Sequence, residues 1–201
     1  MAQISDWHSE SPESGVATNE RLTGLTGALL LVLLALMGIT VLSVRRLLPE
    51  HFLLGFLLIP PVALKLASTA YRFGRYYTGD PQYRRAGPPQ LLMRLIAPIV
   101  VISTVGLFAT GVELWLFGLR FGSIWVGAHK LSFTVWVPLM AAHVLGHLSR
   151  TGQVTAEEVS TARSRTSITR RSLVLASLIA GVVLAAASLT YATPFIFFRD
   201  G

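Results

Sequence analysis

The 201-residue chain contains no cysteine. That excludes a disulfide, an iron–sulfur cluster, a thiolate-ligated haem and covalent haem attachment through Cys-x-x-Cys-His within it. Charge is also scarce. Asp, Glu, Lys and Arg make up 13% of the residues against 52% hydrophobic ones, and the mean hydropathy is +0.59. Soluble domains carry about 25% charged residues, so this composition points to a bilayer as solvent. Lysine is nearly missing: Lys65 and Lys130 stand alone among the basic residues, the rest being arginine.

The remaining charges are clustered, and they leave long apolar runs between them. Residues 22–44 carry no charge, 51–71 carry only Lys65, and 95–112 carry none. Residues 121–149 carry only Lys130, and 172–198 none. Each run, with its flanks, is long enough to span a hydrocarbon core about 30 Å thick. The pattern predicts an all-α integral membrane bundle. Its five transmembrane helices lie near 22–44, 51–75, 91–118, 123–149 and 171–197, four of them forming a core. Residues 1–20 read as a flexible polar tail and 21–201 as a single transmembrane domain. The first run follows an acidic segment (Asp6, Glu10, Glu13, Glu20), whereas a secretory signal begins basic, so it reads as a retained helix. No internal repeat is visible.

Arginine is distributed unequally between the two sides. The connections after the second and fourth runs hold ten arginines (Arg72, Arg75, Arg84, Arg85, Arg94; Arg150, Arg163, Arg165, Arg170, Arg171), and those after the first and third hold three (Arg45, Arg46, Arg120). The positive-inside rule puts the ten in the cytoplasm. The expectation is a multi-pass protein of the cell membrane with its N-terminus cytoplasmic and its C-terminus outside. The net charge of +7 then reports topology and contact with anionic lipid, not nucleic acid.

Against this background the histidines stand out. His51 opens the second run, and His129, His143 and His147 lie on the fourth. Both runs are expected to cross from outside to inside, so His51 and His129 share a depth near the outer leaflet. His143 follows His129 by 14 residues, about 40° short of four turns and roughly 21 Å along the axis. His147 follows by 18 residues, or about five turns. The three imidazoles form one stripe. Ionisable residues inside a membrane are costly and usually functional. Two imidazoles facing each other across a bundle suit the axial positions of a b-type haem iron. Gly55, one turn after His51, leaves room for a flat macrocycle. Structural histidines, or another metal, are the alternatives.

The inner half is less determined. His143 needs a partner at its own depth, and no histidine is there. Lys65 lies 14 residues after His51 and so reaches roughly the depth of His143. It is a candidate for a haem propionate or a quinone oxygen, and Met93 for a weak sulfur ligand. A second haem at His143 is one alternative. His143 and His147, four apart on one helix face, offer a small-metal chelate as another.

The strings KLASTAYRFGRYYTGDPQYRRAGPP (65–89) and HKLSFTVW…HVLGH (129–147) resemble the membrane cytochrome b-like proteins of high-GC Gram-positive bacteria. More distantly, the architecture is similar to the cytochrome b subunits of hydrogenases and formate dehydrogenases. The resemblance implies haem b held by His51 and His129, with His143 in the place of an inner ligand. It also implies electron transfer between a redox partner protein and quinone, with no catalytic residue of the chain's own. A cofactor-free transporter or assembly subunit, with Lys65, Glu113, His143 and the Pro60-Pro61 break lining a polar pathway, is the competing reading. A membrane enzyme with a metal at His143 and His147 is the third. The oligomeric state is open, a homo-oligomer included.

Overall fold

The computed structural model describes residues 15–87, 91–160 and 165–190. The first part of the expected tail, residues 1–14, and the side chain of Met93 lie outside the described residues. The regular structure is α-helical throughout: α1 (Gly15–Leu42), α2 (Leu48–Tyr77), α3 (Pro81–Arg85), α4 (Leu91–Phe117), α5 (Ile124–Ser160) and α6 (Arg165–Thr190). All but α3 are long and apolar enough to cross a membrane. The chain is thus an all-α, multi-pass membrane protein. Helix is what such sequences must form in hydrocarbon, because each backbone amide and carbonyl has to pair within its own segment.

The helix ends depart from those expected from apolarity. α1 begins at Gly15, ahead of the apolar run at 22, and α5 continues to Ser160, past the expected end at 149. α6 begins at Arg165 instead of 171. Polar turns stay helical here because side chains tie them to neighbours. Arg150 Nε donates to Glu20 Oε1 at 2.6 Å, joining α5 to α1. Glu158 is fully buried, accepts from Arg170 Nη2 at 2.6 Å and from Ser167 Oγ at 2.9 Å, and lies 3.8 Å from Arg21. At 37 residues, α5 is about 55 Å long, well beyond the hydrocarbon thickness. Its last turns stand outside the bilayer, where this ion-pair cluster is built.

The arginine-rich connection after α2 also contains structure where the sequence shows a turn. Asp80 caps α3, accepting from the Gln82 and Tyr83 amides, and Pro81 takes the first helical turn, where its missing N–H costs nothing. Asp80 also pairs with Arg75. The buried Tyr83 hydroxyl donates to the Gly15 carbonyl at 3.1 Å, so α3 anchors the start of α1. Burial holds the Tyr83 phenol above its usual pKa, which keeps it a donor.

Four of the long helices close into a ring. α1 packs on α2, α4 packs on α5, α1 packs on α5, and α2 meets α4 over a shorter stretch. α2 and α5 are therefore diagonal. α6 lies outside the ring, against α2 and α1. Polar side chains bind α1 to α2: Asn19 Nδ2 donates to the Ser68 carbonyl at 3.1 Å, and Thr23 Oγ1 donates to Ser68 Oγ at 3.0 Å. Hydrogen bonds of this kind hold helices together where lipid removes the hydrophobic drive. An apolar cluster of Leu30, Leu33 and Leu58 fills the same interface.

The α2–α6 contact follows from the Pro60-Pro61 pair. Pro61 has no N–H, so the Leu57 carbonyl loses its helical partner. Gly181 of α6 sits against that carbonyl, so close that a Cβ there would lie 2.3 Å from the Leu57 oxygen. A Cα–H of Gly181 thus points at the freed acceptor. Trp115 ties α4 to the same helix, donating from Nε1 to the Ser188 carbonyl at 3.2 Å.

Candidate functional site

The ring encloses a cavity of about 890 Å³, within the range typical of small-molecule and cofactor sites. α1, α2, α4 and α5 line it along most of their length, and α6 contributes nothing to its wall. The wall is largely apolar. His51, His129 and Lys130 mark one end, and Lys65, His143, His147, Arg72 and Arg150 mark the other, arginine-rich end; between them Trp136 Nε1 donates to Thr104 Oγ1 at 2.9 Å. The four residues singled out in the sequence, His51, His129, His143 and Lys65, all face this single space.

At the first end the two imidazoles come from diagonal helices, His51 from the first turns of α2 and His129 from the early part of α5. Their ring centroids are 6.3 Å apart and their planes cross at 86°. Each ring is held from behind by a threonine. His51 Nδ1 lies 2.9 Å from Thr40 Oγ1 of α1, and His129 Nδ1 lies 3.0 Å from Thr110 Oγ1 of α4.

Hydrogen-bond accounting assigns the tautomers. A threonine hydroxyl has one proton. Thr40 gives it to the Met37 carbonyl at 2.7 Å. Thr110 gives it to the Gly106 carbonyl at 2.9 Å, with Leu107 at 3.0 Å. With the hydroxyl protons on those carbonyls, both oxygens accept and the imidazole Nδ1–H donates. A neutral ring with its proton on Nδ1 carries its lone pair on Nε2, the form that binds a metal.

Two imidazoles on opposite sides of one ion, with metal–nitrogen bonds of about 2.0 Å and about 1.1 Å from nitrogen to ring centre, would stand about 6.2 Å apart. The ring centres of His51 and His129, 6.3 Å apart, have a separation of that size. Gly111 lets the His129 ring pack close, since a Cβ there would come within 3.3 Å of its Cε1, and Gly55 lines the cavity one turn from His51. Among the described residues no group of three or more His, Cys, Asp or Glu is placed to hold a metal ion. A ligand taking only two protein donors must bring the rest of its coordination with it, as a macrocycle does.

The other end is built differently. His143 and His147 are ring neighbours on one helix, 4.8 Å apart. Lys65 reaches in from α2, its Nζ donating to the Thr23 carbonyl at 2.7 Å. Gly27 makes that reach possible, since a Cβ there would sit 3.0 Å from the Lys65 nitrogen. His143 Nδ1 is buried without a hydrogen-bond partner. Among the described residues no imidazole from another helix faces His143, in keeping with the missing partner in the sequence. Glu113 does not line the cavity.

Sequence reasoning did not find Thr40, Thr110 and Gly111. A signal for the threonines was present. Folding the α1–α2 and α4–α5 hairpins about their short loops places Thr40 opposite His51 and Thr110 opposite His129. No protein family, curated protein or solved structure matches this chain.

Proposed function

We propose that this chain is a membrane b-type cytochrome that carries electrons through one haem held by His51 and His129, between a redox partner protein and quinone. The observation that carries the reading is the pair of diagonal imidazoles, 6.3 Å apart, each with its Nδ1 within 3.0 Å of a threonine hydroxyl. When bound there, haem b supplies one-electron chemistry at an iron tuned by imidazole ligation and burial. The chain does the rest. Thr40 and Thr110 fix the tautomer and the rotation of each ring. Gly55 leaves the wall beside His51 without a side chain, and Gly111 lets the His129 ring pack against α4. The apolar walls exclude water from the site. Neutral imidazoles add no charge to the membrane interior. The arginine asymmetry supports an orientation with the arginine-rich end and the N-terminus in the cytoplasm, and the histidine pair near the outer face.

The test is the visible spectrum of the purified protein. A reduced-minus-oxidised difference with sharp low-spin haem b bands is expected, at about one haem per chain. His51→Ala and His129→Ala should each convert the haem to a high-spin form or abolish it, with the protein still inserted. A colourless wild-type protein, or unchanged low-spin haem in both variants, sinks the assignment and leaves the cofactor-free transporter or assembly subunit in its place.

A further inference from the structure

Three cations line the arginine-rich end of the cavity, Lys65 and Arg72 from α2 and Arg150 from α5. Among the described residues of the cavity wall, Glu20 is the one acid, and Arg150 takes it, Nε donating to Oε1 at 2.6 Å. Lys65 and Arg72 are left over. Neither makes an ion pair among the described residues. Arg72 cannot shed its proton, and the Lys65 ammonium has three N–H groups with one engaged by the Thr23 carbonyl.

These groups form one cluster. Arg72 follows Lys65 by seven residues, about 20° short of two turns and roughly 10 Å along the axis, so both project from one face of α2. Thr69 stands between them on that face and lines the cavity too. On α5, His147 lies within electrostatic reach of Lys65, Arg72 and Arg150, and His143 within reach of Lys65. His143 Nδ1 is buried without a hydrogen-bond partner. Lys65 and Arg72 are both half-buried. Bulk water would screen such like charges, but beside an apolar wall their repulsion persists. Charges withdrawn from water in this way are tolerated when an opposite charge joins them. The void between α2 and α5 is thus built for an anion that accepts hydrogen bonds from both sides.

The rest of the wall says what such an anion is attached to. Leu30, Leu34, Ile59 and Val62 continue the cavity away from the cationic end as an apolar surface. A small inorganic ion would leave that surface empty, whereas an acyl chain would cover it. The arginine asymmetry also assigns this end to the leaflet richest in acidic lipid.

We propose that the arginine-rich end of the cavity binds a phosphate oxyanion through Lys65 and Arg72, and that this phosphate is the headgroup of an acidic phospholipid whose acyl chain follows the apolar wall. The site goes beyond the haem reading and does not depend on it.

The experiment uses the purified full-length chain, stripped of lipid in detergent and titrated with dioleoyl phosphatidylglycerol, with dioleoyl phosphatidylcholine of the same chains, or with inorganic phosphate. Native mass spectrometry counts the lipid retained, and the thermal unfolding midpoint reports binding independently. Phosphatidylglycerol is expected to saturate at one molecule per chain and to raise the midpoint, and phosphatidylcholine to do neither. Lys65→Met and Arg72→Gln should each weaken phosphatidylglycerol binding about tenfold or more, the loss of one charged hydrogen bond. Arg84→Gln, on α3 outside the cavity wall, should leave it unchanged. If Lys65→Met does not fold, the comparison of Arg72→Gln with Arg84→Gln decides. Equal affinity in wild type and Arg72→Gln, an equal loss in Arg84→Gln, or phosphatidylcholine binding as tight as phosphatidylglycerol overturns the site. Stabilisation by inorganic phosphate equal to that by phosphatidylglycerol overturns the lipid as its source. A colourless protein with the expected lipid pattern refutes the cytochrome reading and supports this site.

Discussion

Thr40 and Thr110 show how much at this site depends on a single proton. Each hydroxyl donates to a carbonyl of its own helix and is left as an acceptor for an imidazole on the neighbouring one. Threonine in an apolar run commonly bonds back to its own helix, so its presence alone signals nothing. The function lies in the second lone pair, which only packing aims at a histidine. Replacing either threonine with valine removes that acceptor at nearly constant shape. Thr40→Val and Thr110→Val are expected to weaken haem retention about 10–100-fold, the range seen when a group behind a metal-binding histidine is lost. Thr→Ser at the same positions should restore it. Competition for haem with an apo-globin reads the effect, and equal retention in the valine and serine variants would show that the threonines act only in packing.

At the scale of elements, the prolines of α2 decide how α6 docks. Pro60 and Pro61 free two carbonyls in the preceding turn, and Gly181 covers the one on Leu57. The Pro60-Pro61 pair reads in the sequence as a break, but α2 runs through it as one helix from Leu48 to Tyr77, and the neighbour of the freed carbonyl was not legible. Gly181→Ala sets a methyl group 2.3 Å from a backbone oxygen, where no rotamer change relieves it. A cost of about 1–3 kcal/mol is expected, as for overpacking elsewhere. Thermal unfolding in detergent should show a clearly lowered midpoint, while the ratio of haem to protein before heating stays the same because α6 does not line the cavity. An unchanged midpoint would mean that α6 moves away freely and that the close approach is not needed. The ends of α5 and α6 carry the same lesson. Apolarity marks where a helix is in lipid, but the Glu158 cluster is what extends α5 beyond it.

For the whole molecule, charge and fold agree on two unlike ends. The arginine-rich end holds the α3 anchor on Gly15, the Arg150–Glu20 pair and the buried Glu158 cluster. The opposite end holds short loops and the histidine pair. The proposed orientation is checked by single cysteines, which the chain accepts without background because it has none. Arg84→Cys and Ser160→Cys should react with an impermeant thiol reagent only after the cells are opened. Arg120→Cys should react in intact cells. The reverse pattern would invert the topology and put the histidine pair at the cytoplasmic face.

The sequence by itself determined the class of protein and the level of its residues. Five charge-poor runs dictate helices, because hydrocarbon leaves the backbone no other partner, and positions near the starts of two runs read as crossing in the same direction put His51 and His129 at a similar depth. Periodicity likewise put His143, His147 and Lys65 together at the other. What it left undetermined was everything set by neighbours distant in the chain. A helical repeat gives a residue's height and face on its own helix, but not which helix stands opposite. Only the tertiary structure made α2 and α5 diagonal, left α6 outside the ring and turned Thr40 and Thr110 behind the imidazoles. Those are matters of packing, in which glycines and threonines that look alike along the chain acquire different roles from what is brought against them.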